Sequence, residues 1–274
     1  MRLLPFILCI GLAACNRSPE ASSGGPEANA QARMVAHGAR LSRVLGCTGC
    51  HGPALQGAPV ERGRPLDGSL NASNLTLLLP RYSDAQLSAI IRSGTHPSRG
   101  DLWGMPSQIF QFLSARDYES LIAYLRTIKP AGRPLPPPSL DPIDRRRIAA
   151  GATRPAARLV EDFRQRQPVD LGPSYRFGQY IASVTCEGCH GSNLAGDRVN
   201  RSPDLAVVGA YSHDDFMRLM TSGVGVGGRT LDPMMTYAAR GRFSHLTPAE
   251  REALYAFLRA RAGQAGRGFA VVAG

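Results

Sequence analysis

A five-residue pattern, Cys-x-x-Cys-His, occurs twice in this chain of 274 residues and constrains the chain more than any other feature. The first copy is CTGCH at residues 47–51, and the second is CEGCH at residues 186–190. In a helical conformation, residues three positions apart lie on the same face, about one turn from each other. Each copy therefore predicts two neighbouring thiols that are followed at once by an imidazole.

This pattern is typical of covalent haem attachment. Two thiols one turn apart can each bind a vinyl group of the same porphyrin, and the adjacent histidine then faces the iron on the proximal side. The residues expected to do this are Cys47, Cys50 and His51 in the first copy and Cys186, Cys189 and His190 in the second. We therefore expect two covalently bound haem c groups, each with its own iron.

Three other uses of paired cysteines fit the sequence less well. A structural zinc site needs its two cysteine pairs within a few tens of residues, and here they lie in opposite halves of the chain. A thioredoxin-like redox pair expects a strand–helix–strand setting, which surrounds neither motif. Structural disulfides would not require a histidine at the same offset twice. Haem attachment is the preferred interpretation.

The similarity between the two halves extends well beyond the cysteines. The matching segments are 50–57 with 189–196, 82–94 with 211–223, and 113–126 with 246–259. Such a repeat indicates two copies of one structural unit. We expect two domains, called unit one (residues 33–130) and unit two (residues 172–262).

Helix signals recur in both units. Ser83 with Gln86 and Thr247 with Glu250 have the spacing of capping boxes, and Ser114 precedes another run of helically spaced apolar residues. No convincing strand alternation is present. The sequence therefore predicts an all-α fold.

The remaining segments connect or extend the two units. Residues 131–171 are rich in proline and arginine and predict a linker, extended at residues 136–138 and able to start short helices at Pro142 and Pro155. Residues 15–32 predict a flexible tether, because serine, glycine, proline, alanine and asparagine dominate its composition. Residues 263–274 form a C-terminal tail.

The N-terminus has the pattern of an export signal. Arg2 precedes an apolar stretch at residues 3–12, which is too short to span a bilayer, and small residues follow it. The run LAAC at residues 12–15 resembles a bacterial lipobox. That resemblance implies removal of residues 1–14, lipid modification of Cys15, and anchoring to a membrane on its periplasmic side. An ordinary signal peptide, leaving Cys15 as a thiol, is the alternative.

The formal net charge of +11 comes almost entirely from arginine, since Lys129 is the only lysine. The densest basic cluster is residues 145–147, and no aromatic residues are interleaved with it. A nucleic-acid-binding surface would need such a cluster on one face, so we expect no nucleic-acid partner. A dispersed positive charge instead suits docking to an acidic protein or to an anionic membrane.

Taken with the repeat, the two motifs make the chain similar to tandem di-haem cytochromes of the class I c type. The resemblance covers both units but neither the linker nor the tether. It implies two class I cytochrome c domains, each a small all-α fold wrapped around one covalently bound haem. It also implies that the first and last helices of each domain cross where a glycine meets an aromatic residue, here Gly38 with Tyr124 and Gly178 with Phe257.

The resemblance further implies a methionine as the second axial ligand of each iron, from the loop before the last helix. In unit one, Met105 within WGMP fits this role. The alternative is that Met105 only packs in the apolar core, where methionine is a common filler. In unit two, Met234 matches Met105 by its distance from the repeated Ser-Gly. Met235 followed by residues 239–243 resembles the family's ligand stretch more closely, and we choose Met235. His96 is a further alternative ligand.

A backbone carbonyl that orients the proximal histidine is also implied. The family pattern Pro-x-Leu places this carbonyl on Pro203 in unit two. Unit one has serine at the equivalent place, so the role there falls on Ser73.

Histidine and methionine together leave no open coordination position for a substrate, and the thioether favours the reduced iron. We therefore expect an electron carrier in a periplasmic respiratory chain, acting as a shuttle or as the cytochrome subunit of a dehydrogenase or oxidase system. Its partners would be redox proteins: a dehydrogenase, other cytochromes or a terminal oxidase. The alternative is a di-haem enzyme, such as a peroxidase with one open iron.

Overall fold

The computed structural model describes residues 25–60, 69–166 and 170–271, with side chains described to residue 264. The export signal and Cys15 lie outside the described residues. Unit one contains helices α1 (Pro26–Val44), α2 (Cys47–Cys50), α3 (Leu75–Leu78), α4 (Asp84–Ser93), α5 (Ser107–Phe110) and α6 (Ala115–Arg126), with a 3₁₀ turn at Leu79–Arg81.

The linker forms α7 (Pro142–Ala149) and α8 (Ala156–Arg164). Unit two contains α9 (Arg176–Thr185), α10 (Glu187–His190), α11 (His213–Ser222), α12 (Pro233–Gly241) and α13 (Pro248–Val271), with 3₁₀ turns at Pro173–Tyr175, Leu205–Ala210, Val226–Gly228 and Phe243–His245. The fold is all-α, as the sequence predicts. No helix within the described residues is both long and apolar enough to cross a bilayer.

Four very short strands depart from the expectation that no strand would be found. They are β1 (Ala58–Val60), β2 (Leu70–Ala72), β3 (Thr95–His96) and β4 (Gly100–Asp101). β1 pairs with β2 and β3 with β4, both antiparallel. Strands of two or three residues are too short to show an alternating pattern, which explains why the sequence gives no sign of them.

Helix starts follow the capping signals in the sequence. Ser83 and Gln86 form a reciprocal capping box at α4, and Ser114 accepts a hydrogen bond from Asp117 N at α6. Thr247 and Glu250 exchange the same pair of bonds at the start of α13. These local bonds satisfy backbone N–H groups that have no partner within the helix.

In each unit, the first and last helices cross at a glycine. A Cβ atom at Gly38 would overlap the Ser120 carbonyl group and lie 2.8 Å from the Cβ of Tyr124. At Gly178, a Cβ atom would lie 2.7 Å from the Cβ of Phe257. The predicted glycine–aromatic crossings are therefore both present, and each requires the missing side chain.

Two segments outside the units are more ordered than composition suggests. Pro26 starts α1, so residues 26–32, assigned to the flexible tether, are helical. The proline at the first helical position and Glu27 in the first turn favour this start. At the other end α13 continues to Val271 and includes most of the tail.

The linker packs against unit one. Asn74 Nδ2 donates to the Ala131 carbonyl oxygen at 2.8 Å, and Ala156 N donates to the Leu102 carbonyl oxygen at 2.8 Å. Gln111 Nε2 donates to the Val160 carbonyl oxygen in α8 at 3.0 Å. These bonds tie the linker to one unit at several points, so it is not a free spacer.

Each unit has its own apolar core, and each core includes one valine from the other unit. Val44 of α1 is buried among unit-two residues such as Phe243 and Leu246. Val184, its counterpart in α9, is buried among unit-one residues such as Ile109 and Leu113. The segments that precede the two cysteine motifs are therefore packed into the opposite unit.

Candidate functional site

The two cysteine motifs adopt the same short helical turn. His51 N donates to the Cys47 carbonyl oxygen at 2.9 Å, and His190 N donates to the Cys186 carbonyl oxygen at 2.9 Å. This bond closes one α-helical turn, so both thiols of a motif lie on one side of it. All four of these cysteines are described, and none is in a disulfide.

Both motif histidines are fixed by a backbone carbonyl. His51 Nδ1 lies 2.7 Å from the Ser73 carbonyl oxygen, and His190 Nδ1 lies 2.8 Å from the Pro203 carbonyl oxygen. A carbonyl oxygen only accepts hydrogen bonds, so Nδ1 carries the proton in each ring. The lone pair of Nε2 is then available for a metal, and the ring orientation is set.

A buried leucine holds the carbonyl-bearing segment in place in each unit. Leu55 and Leu194 have φ angles of 56° and 61°, a region that bulky residues rarely adopt. Their carbonyl oxygens accept hydrogen bonds from Leu75 N and Leu205 N, both at 2.9 Å. Leu75 and Leu205 each lie two residues after the carbonyl that binds the histidine. The loop that orients the ring is therefore built in the same way twice.

The methionines chosen as axial ligands both pack against a core. Met105 lies against the core of unit one, which Cys47 also contacts. Met235 lies against the core of unit two, which includes Cys186. Met234 is 45% exposed, and its backbone N–H is bound by the Asp232 side chain at the start of α12.

His96 is already engaged through both ring nitrogens. Its Nε2 lies 2.9 Å from the Tyr82 hydroxyl oxygen, and its Nδ1 accepts a hydrogen bond from Ser98 N at 3.2 Å. These bonds give it a packing role. Within the described residues, no group of three or more histidine, cysteine, aspartate or glutamate side chains could hold a metal ion.

The cytochrome c family model matches the chain over residues 35–129 and 177–262. The chain belongs to the cytochrome c family. Family membership implies covalently bound haem c with its iron, and identifies an electron-transfer cytochrome. The paired thiols and the unprotonated Nε2 of each histidine are donors of the kind that haem c requires.

A similar protein is the fructose dehydrogenase cytochrome subunit of Gluconobacter japonicus. The two are 24% identical over 265 residues, which cover 85% of this chain and 53% of that protein. The cytochrome described here thus spans about half the length of the curated relative that it matches.

Burial dominates the protonation of the attachment sites. It raises the pKa of the Cys47 and Cys186 thiols to about 11 in each case, and it also raises the pKa of Cys50. It lowers the pKa of His51 and His190, so both imidazoles are neutral at neutral pH, as metal binding requires.

Three residues that lie against the cytochrome's attachment turns could not be identified from the sequence, because each belongs to the opposite unit. They are Tyr237, Ile109 and Arg242. A Cβ atom at Gly49 would overlap the Tyr237 hydroxyl, and one at Gly188 would lie 3.4 Å from Ile109 Cδ1. Arg242 Nε donates to the Val44 carbonyl oxygen at 3.0 Å, three residues before Cys47. No local pattern marks these residues, and only the docking of the two units brings them to the turns.

Proposed function

We propose that this chain is a di-haem c-type cytochrome that carries electrons in a periplasmic respiratory chain, as a shuttle or as the cytochrome subunit of a dehydrogenase or oxidase system. One haem c would be held by each unit. The observation that carries this proposal is the identical arrangement of His51 and His190, each with Nδ1 bound by a carbonyl and Nε2 left for iron.

When bound, haem c supplies an iron that takes up and releases one electron. The chain's own residues would hold and enclose it. The residues proposed to do so are Cys47, Cys50, His51 and Met105 in unit one and Cys186, Cys189, His190 and Met235 in unit two. Binding of the iron by both an imidazole and a thioether would leave no place on it for a substrate, which favours a carrier over a catalyst.

Haem attachment is tested with the full chain expressed alongside a competent maturation apparatus. We expect a haem-stained band on a denaturing gel and two iron atoms per chain. The double variant C47S/C50S and the double variant C186S/C189S should each retain one haem. A colourless wild-type protein would contradict the proposal, and a single haem in the wild type would contradict its count.

Ligation by histidine and methionine distinguishes a carrier from an enzyme. The ferric protein should show the near-red absorption that methionine-ligated haem gives, and it should bind cyanide and peroxide slowly at both irons. Rapid binding of either at one iron would favour a di-haem peroxidase instead.

A dehydrogenase is the partner that the similarity favours. The similar Gluconobacter protein is named as a dehydrogenase cytochrome subunit, and the net charge of +11 suits an acidic docking face on such a partner. Co-purification of a second chain with dehydrogenase activity would distinguish a subunit from a free shuttle.

Membrane anchoring through Cys15 is part of the same proposal. Diacylation of this cysteine, after removal of residues 1–14, would tether the two domains to the periplasmic side of a bacterial membrane. We expect the wild type to fractionate with membranes and the C15S variant to be released. Unchanged fractionation of C15S would contradict the lipid anchor and would leave the haem assignment intact.

A further inference from the structure

Arg242 belongs to unit two but lies against the attachment turn of unit one. Its Nε donates to the Val44 carbonyl oxygen at 3.0 Å. A Cβ atom at Gly46, the residue immediately before Cys47, would lie 3.0 Å from the same Nε. The guanidinium is therefore fixed at the boundary between the units, next to the first thiol of unit one.

The positive charge of Arg242 is incompletely compensated. Its Nη2 is buried and makes no hydrogen bond within the described residues. The guanidinium carbon lies 5.3 Å from the centre of the Phe243 ring, which provides a cation–π contact but no negative charge. Because part of the guanidinium is shielded from water, solvent screens the charge less on that side.

The positive charge of Arg242 lowers the pKa of nearby cysteine thiols. Burial raises the pKa of Cys47 and of Cys50, and Arg242 is the largest influence opposing it at both. At Cys186 the Thr185 hydroxyl opposes the burial effect more strongly than Arg242 does. Arg242 therefore acts on thiols of both units, and its hydrogen bond to Val44 places it beside the segment that leads to Cys47 in unit one.

Unit one has no such charge at the equivalent place. The gap-free alignment that pairs Leu113 with Leu246 also pairs Ile109 with Arg242. Ile109 lies at the attachment turn of unit two, because a Cβ atom placed on Gly188 would be 3.4 Å from Ile109 Cδ1. The two turns are therefore covered by equivalent residues, one charged and one apolar.

We propose that Arg242 raises the reduction potential of the haem of unit one relative to that of unit two. The reasoning rests on the proposed haem attachment. Oxidised haem carries one more positive charge than reduced haem, so a nearby cation disfavours the oxidised form. In a chain that carries two haems and one electron, that electron would therefore reside mainly on the haem of unit one, and no proton would be transferred.

The test is a potentiometric titration of the holoprotein, followed by its visible absorption. The variant R242I gives unit two the residue that unit one carries. We expect the equilibrium constant for reducing unit one to fall about tenfold, which for one electron is about 59 mV, and that of unit two to fall less. R242K should retain most of the wild-type difference.

Two further variants make the measurement interpretable. M105H replaces the proposed sulfur ligand of unit one alone and so identifies which titration step belongs to that unit. R240Q removes an exposed arginine that lies in the last turn of α12, two residues before Arg242, and binds the Ser222 carbonyl oxygen. This variant should leave both steps within twofold of the wild type. If R242I does not fold, R242Q is measured in its place, because the glutamine side-chain amide can still donate a hydrogen bond to the Val44 carbonyl oxygen.

Equal shifts of both steps, or no shift in R242I or R242Q, would overturn the role of Arg242 while two haems remain attached. Absence of haem from the wild type would instead overturn the proposed function, so the two failures are distinguishable.

Discussion

Arg40 binds Glu250 across the boundary between the two units, with Nη1 and Nη2 2.7 and 2.9 Å from the two carboxylate oxygens. The equivalent pair also crosses the boundary, since Tyr180 donates its hydroxyl proton to Asp117. Each bond joins the first helix of one unit to the third residue of the other unit's last helix. Such reciprocal contacts are the mark of an approximate two-fold relationship, and they place the two attachment turns at one shared interface.

The Arg40–Glu250 pair is expected to hold the units together. R40M removes two charge-assisted hydrogen bonds from a carboxylate that is nearly buried, and should lower the free energy of unfolding by about 1–3 kcal/mol. R158M breaks a pair with Glu161 in which both side chains are more than half exposed, and should cost less than about 0.5 kcal/mol. Urea unfolding of the holoproteins measures both, and equal losses would contradict the interface role.

The helix crossing of unit two should tolerate no side chain at Gly178. In G178A the new methyl group meets the Ala253 carbonyl group and Phe257, and backbone cannot move aside without separating α9 from α13. We expect a loss of about 2–4 kcal/mol in the free energy of unfolding.

Gly263 provides the matched control for this change. It lies in α13 with nothing within 4 Å of a new Cβ atom. G263A should therefore stabilise the chain by up to about 1 kcal/mol through helix propensity alone. Thermal unfolding of the two variants side by side checks the prediction, which fails if G178A unfolds at the wild-type temperature.

The features that could be predicted from the sequence are those that neighbouring residues determine. The capping pairs Ser83–Gln86 and Thr247–Glu250 form because three-residue spacing suffices for both hydrogen bonds. The attachment turns also follow from a motif five residues long, whereas the roles of the Ser73 and Pro203 carbonyls follow from the resemblance to class I cytochromes c. Because the two units repeat the same sequence pattern, a feature predicted in one unit is also predicted in the other.

Features that depend on how the units dock could not be predicted in this way. Arg40 and Glu250 are far apart in the sequence, and neither has a neighbour that marks it as an interface residue. Arg242 is charged where its counterpart Ile109 is apolar, and this difference indicates nothing until the structure shows what each residue covers. The prolines of residues 131–171 predict a linker, but its hydrogen bonds to unit one involve backbone carbonyls that carry no sequence signal.

A buried carboxyl group makes stability depend on pH. Glu187 is fully buried, and burial raises its pKa from 4.5 to about 7 against the smaller opposing effect of the Ser183 hydroxyl. Above pH 4.5 the unfolded chain loses this proton while the folded chain keeps it. Stability should therefore fall as pH rises from 4.5 to about 7, and then level off.

The variant E187Q keeps the shape of the side chain and removes this titration. It should be more stable than the wild type by roughly 1–3 kcal/mol at pH 8 and nearly equal at pH 4. E119Q, at an exposed site on α6, is the control. Urea unfolding at pH 4, 6 and 8 measures the difference, and a constant gap between E187Q and wild type across this range would contradict the buried-acid interpretation.

Substitution of Met234 and Met235 in turn distinguishes which of them is the axial ligand of unit two. The repeat aligns Met234 with Met105, but α12 begins at Pro233, and successive residues of a helix point about 100° apart. Met234 is consequently exposed, whereas Met235 packs against the core that contains Cys186. We expect M234L to retain the full near-red absorption of the ferric protein, and M235L to lose about half of it because one of two haems is affected.

M105L should remove the other half, and the double variant M105L/M235L should remove the band. M105L and M235L each open one iron, so cyanide should bind rapidly to one haem per chain in these two variants and to neither haem in M234L. Loss of half the band in M234L, with M235L unchanged, would assign the ligand to Met234. That result would require the first turn of α12 to unwind when haem is attached, because only then could the Met234 side chain turn away from solvent towards the core.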